Sequence, residues 1–315
     1  MITKPEKYRY LFGPVVSRRL KLSLGIDPVP FKTCSLDCVY CELGKTTDKV
    51  VKRKSFAKPK EIIGEVIQFL RTGNKPDCIT ISGSGEPTLN RDLEEIIQEV
   101  KKITSIPLAV ITNSTLMSDP KVRSALLPAD VVLPSLDAVS PEVFARVNRP
   151  HPSLQVDRII SGLQQFREEF TGEIWLEVLL VRGINDQPEE MELLREAALS
   201  LHPDRIQLNT VARPGTEDSA LPLVDEHLQE LKEFFGPLAE VIAGSRHSSA
   251  KVQADSAEER ILEIASRRPV TVEEIAAGMG LEIKEAEKIL NRLCQEGKIN
   301  LKQHRNKGFW ITEKK

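Results

Sequence analysis

Between Leu22 and Gly236 the chain alternates short apolar runs with longer stretches whose apolar residues recur every three or four positions. "LSLGIDPV" (Leu22 to Val29), "DCITIS" (Asp77 to Ser82), "IPLAVIT", "DVVLPSL", "EIWLEVLLV" and "DRIQLNTV" are short, β-branched and apolar almost throughout. That is the pattern of strands buried on both faces. Helices are expected between them. "KEIIGEVIQFLRTG" carries Ile62, Ile63, Val66, Phe69 and Leu70 at helical spacing and stops at glycine. "DLEEIIQEVKKI", "DPKVRSALL", "PEVFARV" and "EHLQELKEFFG" read the same way. "SLQVDRIISGLQQFREEF" has Ser153 as its expected cap, and "PEEMELLREAALSL" opens on proline.

Six strands, each followed by helix, predict an α/β fold with a parallel sheet and right-handed crossovers. The sheet is either a barrel, closed or partial, or an open doubly wound layer. Both gather ligands at the carboxyl ends of the strands. Those ends are the cysteine loop, "GSGEPT" (Gly83 to Thr88), "TNS" (Thr112 to Ser114), "SLDA" (Ser135 to Ala138), "RGIND" (Arg182 to Asp186) and "NTVARPG" (Asn209 to Gly215). Polar and glycine-rich residues at all six point to one shared site.

Near Ser245 the composition turns polar, as in a linker. Beyond it, three helical stretches precede two strand-like runs around a basic tip. Thr271 and Glu274 have capping-box spacing. The order resembles a small winged helix-turn-helix. The expected division is a large domain over 1–246, a linker over 247–256 and a small domain over 257–315.

Lys and Arg number 44 against 46 Asp and Glu, a net charge of −2. That gives no global pull towards nucleic acid, though local basic patches remain open. No apolar run reaches bilayer-spanning length, and "MITKPEKYRY" lacks the apolar core of a signal peptide. A cytoplasmic protein without a membrane partner is expected, in which clustered cysteines act as metal ligands or redox thiols. Three of the five cysteines lie in "CSLDCVYC", at Cys34, Cys38 and Cys41. A structural zinc wants four ligands, and only His151 offers itself as the fourth. A dithiol pair of Cys38 and Cys41 would leave Cys34 idle. Chance burial fits poorly with a polar loop after a strand. A four-iron cluster on three thiolates leaves one iron open to a substrate, by the logic that separates catalytic from structural zinc.

The stretch resembles the CxxxCxΦC signature of the radical S-adenosylmethionine (radical SAM) enzymes, with Tyr40 as the aromatic Φ. The polar strand ends are similar to those of their partial (β/α)6 TIM-like barrel, over roughly Tyr10 to Ala243. The resemblance implies a [4Fe-4S] cluster on the three cysteines, its open iron chelated by SAM. An electron then cleaves the sulfonium, and a 5′-deoxyadenosyl radical takes hydrogen from a substrate. It also implies a reductant protein of flavodoxin or ferredoxin type. "SGEP" after Gly83 resembles the family's GGEP motif, with serine for the first glycine. By that resemblance Gly83, Ser84, Gly85 and Glu86 hold the methionine amino group. Thr112 and Asn113, with Ser135 and Asp137, resemble contacts to the methionine carboxylate and ribose, and Asn209 lies where adenine contacts are found. Plainer roles stay open. Gly83 and Gly85 suit a tight turn, Glu86 suits a helix start, and Ser135 and Asp137 suit capping. Glu177, inside an apolar strand, needs an ion pair or a cofactor as partner. Arg18 and Arg19 read as surface or ion-pair residues.

"LFGPVVSRRLKLSLGIDPVPFKTCSLDCVYCELGKT", "VNRP" (Val147 to Pro150) and "LEVLLVRGIND" resemble an uncharacterised Fe–S oxidoreductase group related to the wyosine-forming tRNA enzymes. Those enzymes carry a second cluster on upstream cysteines. No cysteine precedes Cys34 here, so one cluster is expected. The end of the chain is basic at Lys284, Lys288, Arg292, Lys298, Lys302, Arg305 and Lys307, with Trp310 beside the tip. This suits phosphate contact. Glu258, Glu259, Glu263, Glu273 and Glu274 make the preceding part acidic, and winged helices also bind proteins. Two function classes follow. One is a radical SAM enzyme acting on an unidentified substrate, with RNA and protein as candidates. The other is an iron–sulfur redox-sensing regulator that binds DNA through its winged helix. "SGEP" and "TNS" favour the enzyme, because a sensor needs only the cysteines.

Overall fold

The computed structural model describes residues 8–242, 257–304 and 307–312. The expected linker at 247–256 and Arg305 lie outside the described residues. The chain begins with an antiparallel hairpin of β1 (Leu11–Ser17) and β2 (Lys21–Ile26). Two short strands, β3 (Thr33–Cys34) and β4 (Asp48–Lys49), pair across the base of the cysteine loop. There follow α1 (Pro59–Arg71), β5 (Cys78–Ile81), a 3-10 turn at Pro87–Leu89, α2 (Leu93–Ile103), β6 (Leu108–Thr112), α3 (Pro120–Leu126) and β7 (Val131–Pro134). Next come α4 (Pro141–Val147), α5 (Val156–Glu169), β8 (Glu173–Leu180), α6 (Pro188–Ser200), β9 (Arg205–Thr210), α7 (Asp225–Phe235) and β10 (Ala239–Val241).

The sheet runs β1-β2-β5-β6-β7-β8-β9-β10. It is parallel from β2 onward, with β1 as an antiparallel edge. The six expected strands are present as β2 and β5 to β9, and two further strands extend the ends. The apolar run of β1 is broken by Gly13 and Pro14, which read as a turn and which an edge strand tolerates. β10 has three residues, below the length at which periodicity is visible. Ser153 does not cap α5. That helix starts at Val156, and the Ser153 hydroxyl pairs instead with His151 Nδ1 at 2.9 Å.

Amphipathic helices seal the sheet. In α2, Leu93, Ile96, Ile97 and Val100 are all buried, at the spacing that makes one helical face. Glu94 and Glu95 stand in its first turn and Lys101 and Lys102 in its last, each matched to the helix dipole. The sheet also curls. Arg18, just after edge strand β1, donates from Nη1 to Asn209 Oδ1 on β9 and to the carbonyl of Ile242, just past edge strand β10, both at 3.2 Å. One side chain thus spans the two ends of the sheet.

The C-terminal part holds α8 (Ala257–Arg267), α9 (Val272–Met279), α10 (Ile283–Gln295) and an antiparallel hairpin of β11 (Asn300–His304) and β12 (Lys307–Ile311). The capping box forms at Thr271 and Glu274, and Gly280 ends α9 in the left-handed conformation at φ 66°. These elements bury their own apolar cluster, including Ile261, Ile275, Leu290 and Trp310. Trp310 is therefore a core residue, bonded through its backbone to Val270, rather than a surface aromatic beside a basic tip. α8 and α9 both lie against β1, where Val15 joins the small cluster.

Candidate functional site

The cysteine loop follows β2 and is bound on three sides. Backbone N–H groups of Asp37 and Val39 donate to the carbonyls of Asn148 and Val147, both at 3.0 Å, and His151 N donates to Ser35 O at 2.9 Å. The "VNRP" segment is thus the outer wall of the loop. Each of the three sulfurs has a side-chain N–H donor aimed at it. Asn113 Nδ2 reaches Cys34 Sγ at 3.4 Å, Asn148 Nδ2 reaches Cys38 Sγ at 3.4 Å, and Lys32 Nζ reaches Cys41 Sγ at 3.1 Å. The donors come from three separate segments, and Lys32 is buried. Burial pushes the Cys34 thiol up to about 12 and Cys38 well above its ordinary value. Such sulfurs ionise only beside added positive charge, which an iron cluster supplies. Hydrogen bonds to the sulfurs are also among the protein's levers on a cluster. The set therefore fits three thiolate ligands of a cluster. Among the described residues, no three His, Cys, Asp or Glu side chains are grouped to hold a single metal ion, and His151 is occupied with Ser153.

The "SGEP" turn is fixed from beneath. Ser84 donates from N and Oγ to the Asp27 carboxylate at 3.1 and 2.5 Å, and its carbonyl accepts from Lys32 N. A Cβ on Gly83, at φ +126°, would strike the Asp27 carboxylate, and one on Gly85 would strike the carbonyl of Thr33 beside Cys34. Both glycines are required by close packing. Glu86 is 2% exposed. Its Oε1 accepts from Thr88 N at 3.0 Å, Thr88 Oγ1 at 2.6 Å and Thr112 Oγ1 at 2.7 Å, and Oε2 accepts from Asn113 N at 2.7 Å. The carboxylate ties the turn to the end of β6 and positions Asn113, whose amide touches Cys34. Burial still raises its pKa against these four bonds.

Asp137 forms a second buried node. It accepts from the Tyr40 hydroxyl, from Asn148 Nδ2 at 2.7 Å and from Leu179 N at 2.9 Å. Burial holds its carboxyl up at about 6 despite these donors. It does not cap α4, which starts after Ser140. Ser135 Oγ donates to Glu177 at 3.3 Å, outside any cap. Glu177 also accepts from Asn209 Nδ2 at 2.9 Å and pairs with Arg19 at 2.9 Å; these partners hold its pKa below the ordinary value although burial alone would raise it.

Inside the curl lies a cavity of about 360 Å³, within the usual range for ligand sites. Of the expected site residues, Tyr40, Cys41, Gly83 and Asn209 line it. Asn113, Ser135 and Asp137 border a separate small void that Tyr40 also lines, and Ser84, Gly85, Glu86 and Thr112 line neither. Four arginines, Arg18, Arg19, Arg213 and Arg268, also face the cavity, the last from just beyond α8. Arg18 is thus not a surface residue. Arg213 is 5% exposed and bridges Glu42, next to Cys41, and Glu274 of α9. Lys32, Asn148, Arg213 and Arg268 were not legible as site residues. Lys32 and Arg268 are isolated polar residues in sequence, and Asn148 and Arg213 were marked only by the segments that carry them, "VNRP" and "NTVARPG".

The family model for the Radical SAM superfamily matches residues 29–195. "GTPase Obg" of Brachyspira hyodysenteriae is 38% identical over 296 residues, which are 93% of this chain and 44% of that protein. The chain thus spans less than half of that relative. A UPF0026 protein of Methanocaldococcus jannaschii is 32% identical over 306 residues, 95% of each chain. The solved structure of Streptococcus suis SuiB bound to S-adenosylmethionine aligns over 67% of this chain and 46% of that one, with a TM-score of 0.50 and 17% identity, a likeness of fold.

Proposed function

The chain belongs to the radical SAM superfamily, whose enzymes use SAM and a [4Fe-4S] cluster. From that premise we propose that Cys34, Cys38 and Cys41 hold the cluster and that the 360 Å³ cavity beside Cys41 receives SAM and a substrate. When bound, the two cofactors supply an electron and the 5′-deoxyadenosyl radical that abstracts hydrogen. The observation that carries the reading is the set of three side-chain N–H donors, one to each sulfur.

The chain's own residues do the rest. Asn113, Asn148 and Lys32 stabilise thiolate charge. Gly83 and Tyr40 form the wall that faces SAM, with Asn209 opposite. By the resemblance, Ser84, Gly85 and Glu86 would serve the methionine amino group, and Thr112, Asn113, Ser135 and Asp137 would serve its carboxylate and the ribose. A reductant protein of flavodoxin or ferredoxin type delivers the electron. No helix among the described residues is long and apolar enough to cross a membrane.

We read residues 257–315 as a winged helix-turn-helix and the chain as two domains. Two separate apolar clusters support that division. The contacts of α8 and α9 with β1, and of Glu274 with Arg213, support a role in closing the cavity. An RNA or protein substrate would meet this module first. The DNA-binding regulator gains no support from the comparisons.

The test is anaerobic reconstitution. About four irons per chain are expected for one cluster, with 5′-deoxyadenosine released on adding SAM and dithionite. Alanine at Cys34, Cys38 or Cys41 should abolish both signals, and alanine at Cys78 or Cys294 should not. Tight zinc in place of iron, or iron kept by the triple variant, would refute the reading.

A further inference from the structure

The four arginines facing the cavity are not equally matched. Arg19 is paired with Glu177, and Arg213 with Glu42 and Glu274. Arg18 meets only neutral acceptors, the Asn209 side chain and the Ile242 carbonyl. Arg268 makes no side-chain hydrogen bond or ion pair among the described residues, and its Nε is buried without a partner. Burial, and then the neighbouring Arg213 charge, pull Arg18 below its ordinary pKa and Arg268 down to about 10. Folding has gathered four guanidiniums against the three carboxylates Glu42, Glu177 and Glu274, so one positive charge is in excess, and among the described residues neither Arg18 nor Arg268 has a carboxylate bonded to it. A buried excess of charge is costly unless something else supplies the negative partner. All four arginines, Arg18, Arg19, Arg213 and Arg268, lie outside the 29–195 span matched to the family.

We propose that Arg18 and Arg268 bind the phosphate group of a small phosphorylated substrate, held between the curled sheet and α8 with its reacting part towards Cys41. The proposal rests on the reading of this cavity as a radical SAM site. Two guanidiniums that lack a carboxylate bonded to them leave N–H donors free, and a phosphate monoester offers three terminal oxygens to receive them where a carboxylate offers two. Their planar forks present paired N–H donors that suit phosphate oxygens. The site spans the two parts of the chain, Arg18 from the sheet edge and Arg268 from the C-terminal part. A bound phosphate would therefore also draw the covering helices onto the cavity.

The test uses full-length, cluster-loaded protein and inorganic phosphate as the probe, followed by calorimetry, with acetate as the carboxylate control. One phosphate per chain should bind, at least tenfold more tightly than acetate. Arg268→Gln should weaken phosphate at least tenfold, and Arg268→Lys should restore part of the loss. Arg18→Gln should weaken it similarly. Because Arg18 also joins the sheet edges, the Arg268 pair decides the matter if Arg18→Gln does not fold. Equal phosphate affinity in wild type and Arg268→Gln overturns the proposal. So does an equal loss of SAM affinity, measured by dialysis, since the guanidinium would then serve the SAM carboxylate. Tighter binding of a single-stranded oligonucleotide, retained in both glutamine variants, overturns it in favour of a nucleic-acid surface elsewhere. SAM cleavage without phosphate binding removes this proposal alone. Phosphate binding without SAM cleavage removes the radical reading and leaves the anion site standing.

Discussion

Replacing Glu86 by glutamine separates two roles for this carboxylate, ligand contact and internal brace. The side chain keeps its shape and loses one acceptor oxygen. If the amide oxygen takes the Oε1 position, the new NH2 faces Asn113 N–H, donor against donor. The other orientation sets the NH2 against three donors from Thr88 and Thr112. The first is cheaper. It leaves one N–H unmatched, at about 1–3 kcal/mol, and weakens three charge-assisted bonds by about 1 kcal/mol each. Relief of burying a charge, the effect that raises the Glu86 pKa, offsets part of this. A net loss of about 2–4 kcal/mol follows. At about 2–4 °C per kcal/mol, the melting midpoint of iron-free protein should fall by roughly 4–16 °C. Iron retention should fall too, because Asn113 is the donor to Cys34 Sγ. Calorimetric melts and iron content of the purified variant are the assay. A variant that melts with wild type, keeps its iron and loses only SAM affinity would refute the brace and return Glu86 to direct ligand contact.

Three further outcomes are expected. Lys32→Met removes a buried ammonium 3.1 Å from Cys41 Sγ, so the cluster should become harder to reduce; an EPR-monitored titration should find a more negative midpoint, and an unchanged or more positive one would count against the contact. The Asp137 carboxyl, held by burial at about 6, binds its proton more tightly folded than unfolded. Its stabilisation is complete below about pH 4, its ordinary value, and is lost as pH rises through about 6. Denaturant melts of iron-free protein should therefore decline more steeply over that window in wild type than in Asp137→Asn; parallel slopes would remove Asp137 as the cause. Gly85→Val should fail to seat β3 against the "SGEP" turn, since a Cβ there meets the Thr33 carbonyl, and should lose iron as well as SAM binding; full iron content would contradict the geometry.

The fold was legible where the physics is periodic. β5 is the four-residue run CITI, buried throughout with Thr80 its one polar residue, and α2 places its apolar stripe on one face. Alternation implied a parallel sheet but left its strand order open between a barrel and a doubly wound layer, and the structure supplies the order. β1 was not visible because Gly13 and Pro14 interrupt it, and its role depends on pairing with β2 and on α8 and α9 arriving from far along the chain. The cysteine motif was legible because three sulfurs at fixed spacing have few alternatives. Its donors were not. Asn113 and Asn148 reach it across sequence separations of 79 and 110 residues, and nothing local marks an amide that will meet a sulfur. Glu86 and Asp137 were found by resemblance, yet their side chains bond inward. A motif shared across a family preserves a geometry, and the residue that builds the geometry need not touch the ligand.

The C-terminal part bears on the site through one clasp. Arg213, just past β9, holds Glu42 beside Cys41 with Nη1 and Glu274 at the start of α9 with Nη2. Glu274 is also the capping-box residue of α9, so the same helix end is stabilised by its own chain and by the sheet. Glu274→Gln keeps the capping box, which accepts glutamine, and removes the charge. Arg213 would retain Glu42, so the loss should lie below the 3–5 kcal/mol of a fully orphaned buried ion, at about 1–2 kcal/mol. That is roughly 5- to 30-fold in any opening that separates α9 from the sheet. Hydrogen exchange reads it locally. Amides of β1, covered by α8 and α9, should exchange faster by that factor, while β6 and β7, remote from the clasp, should keep their protection. If β1 is unaffected, the two parts meet without coupling, and the C-terminal part is a neighbour of the cavity and not its wall.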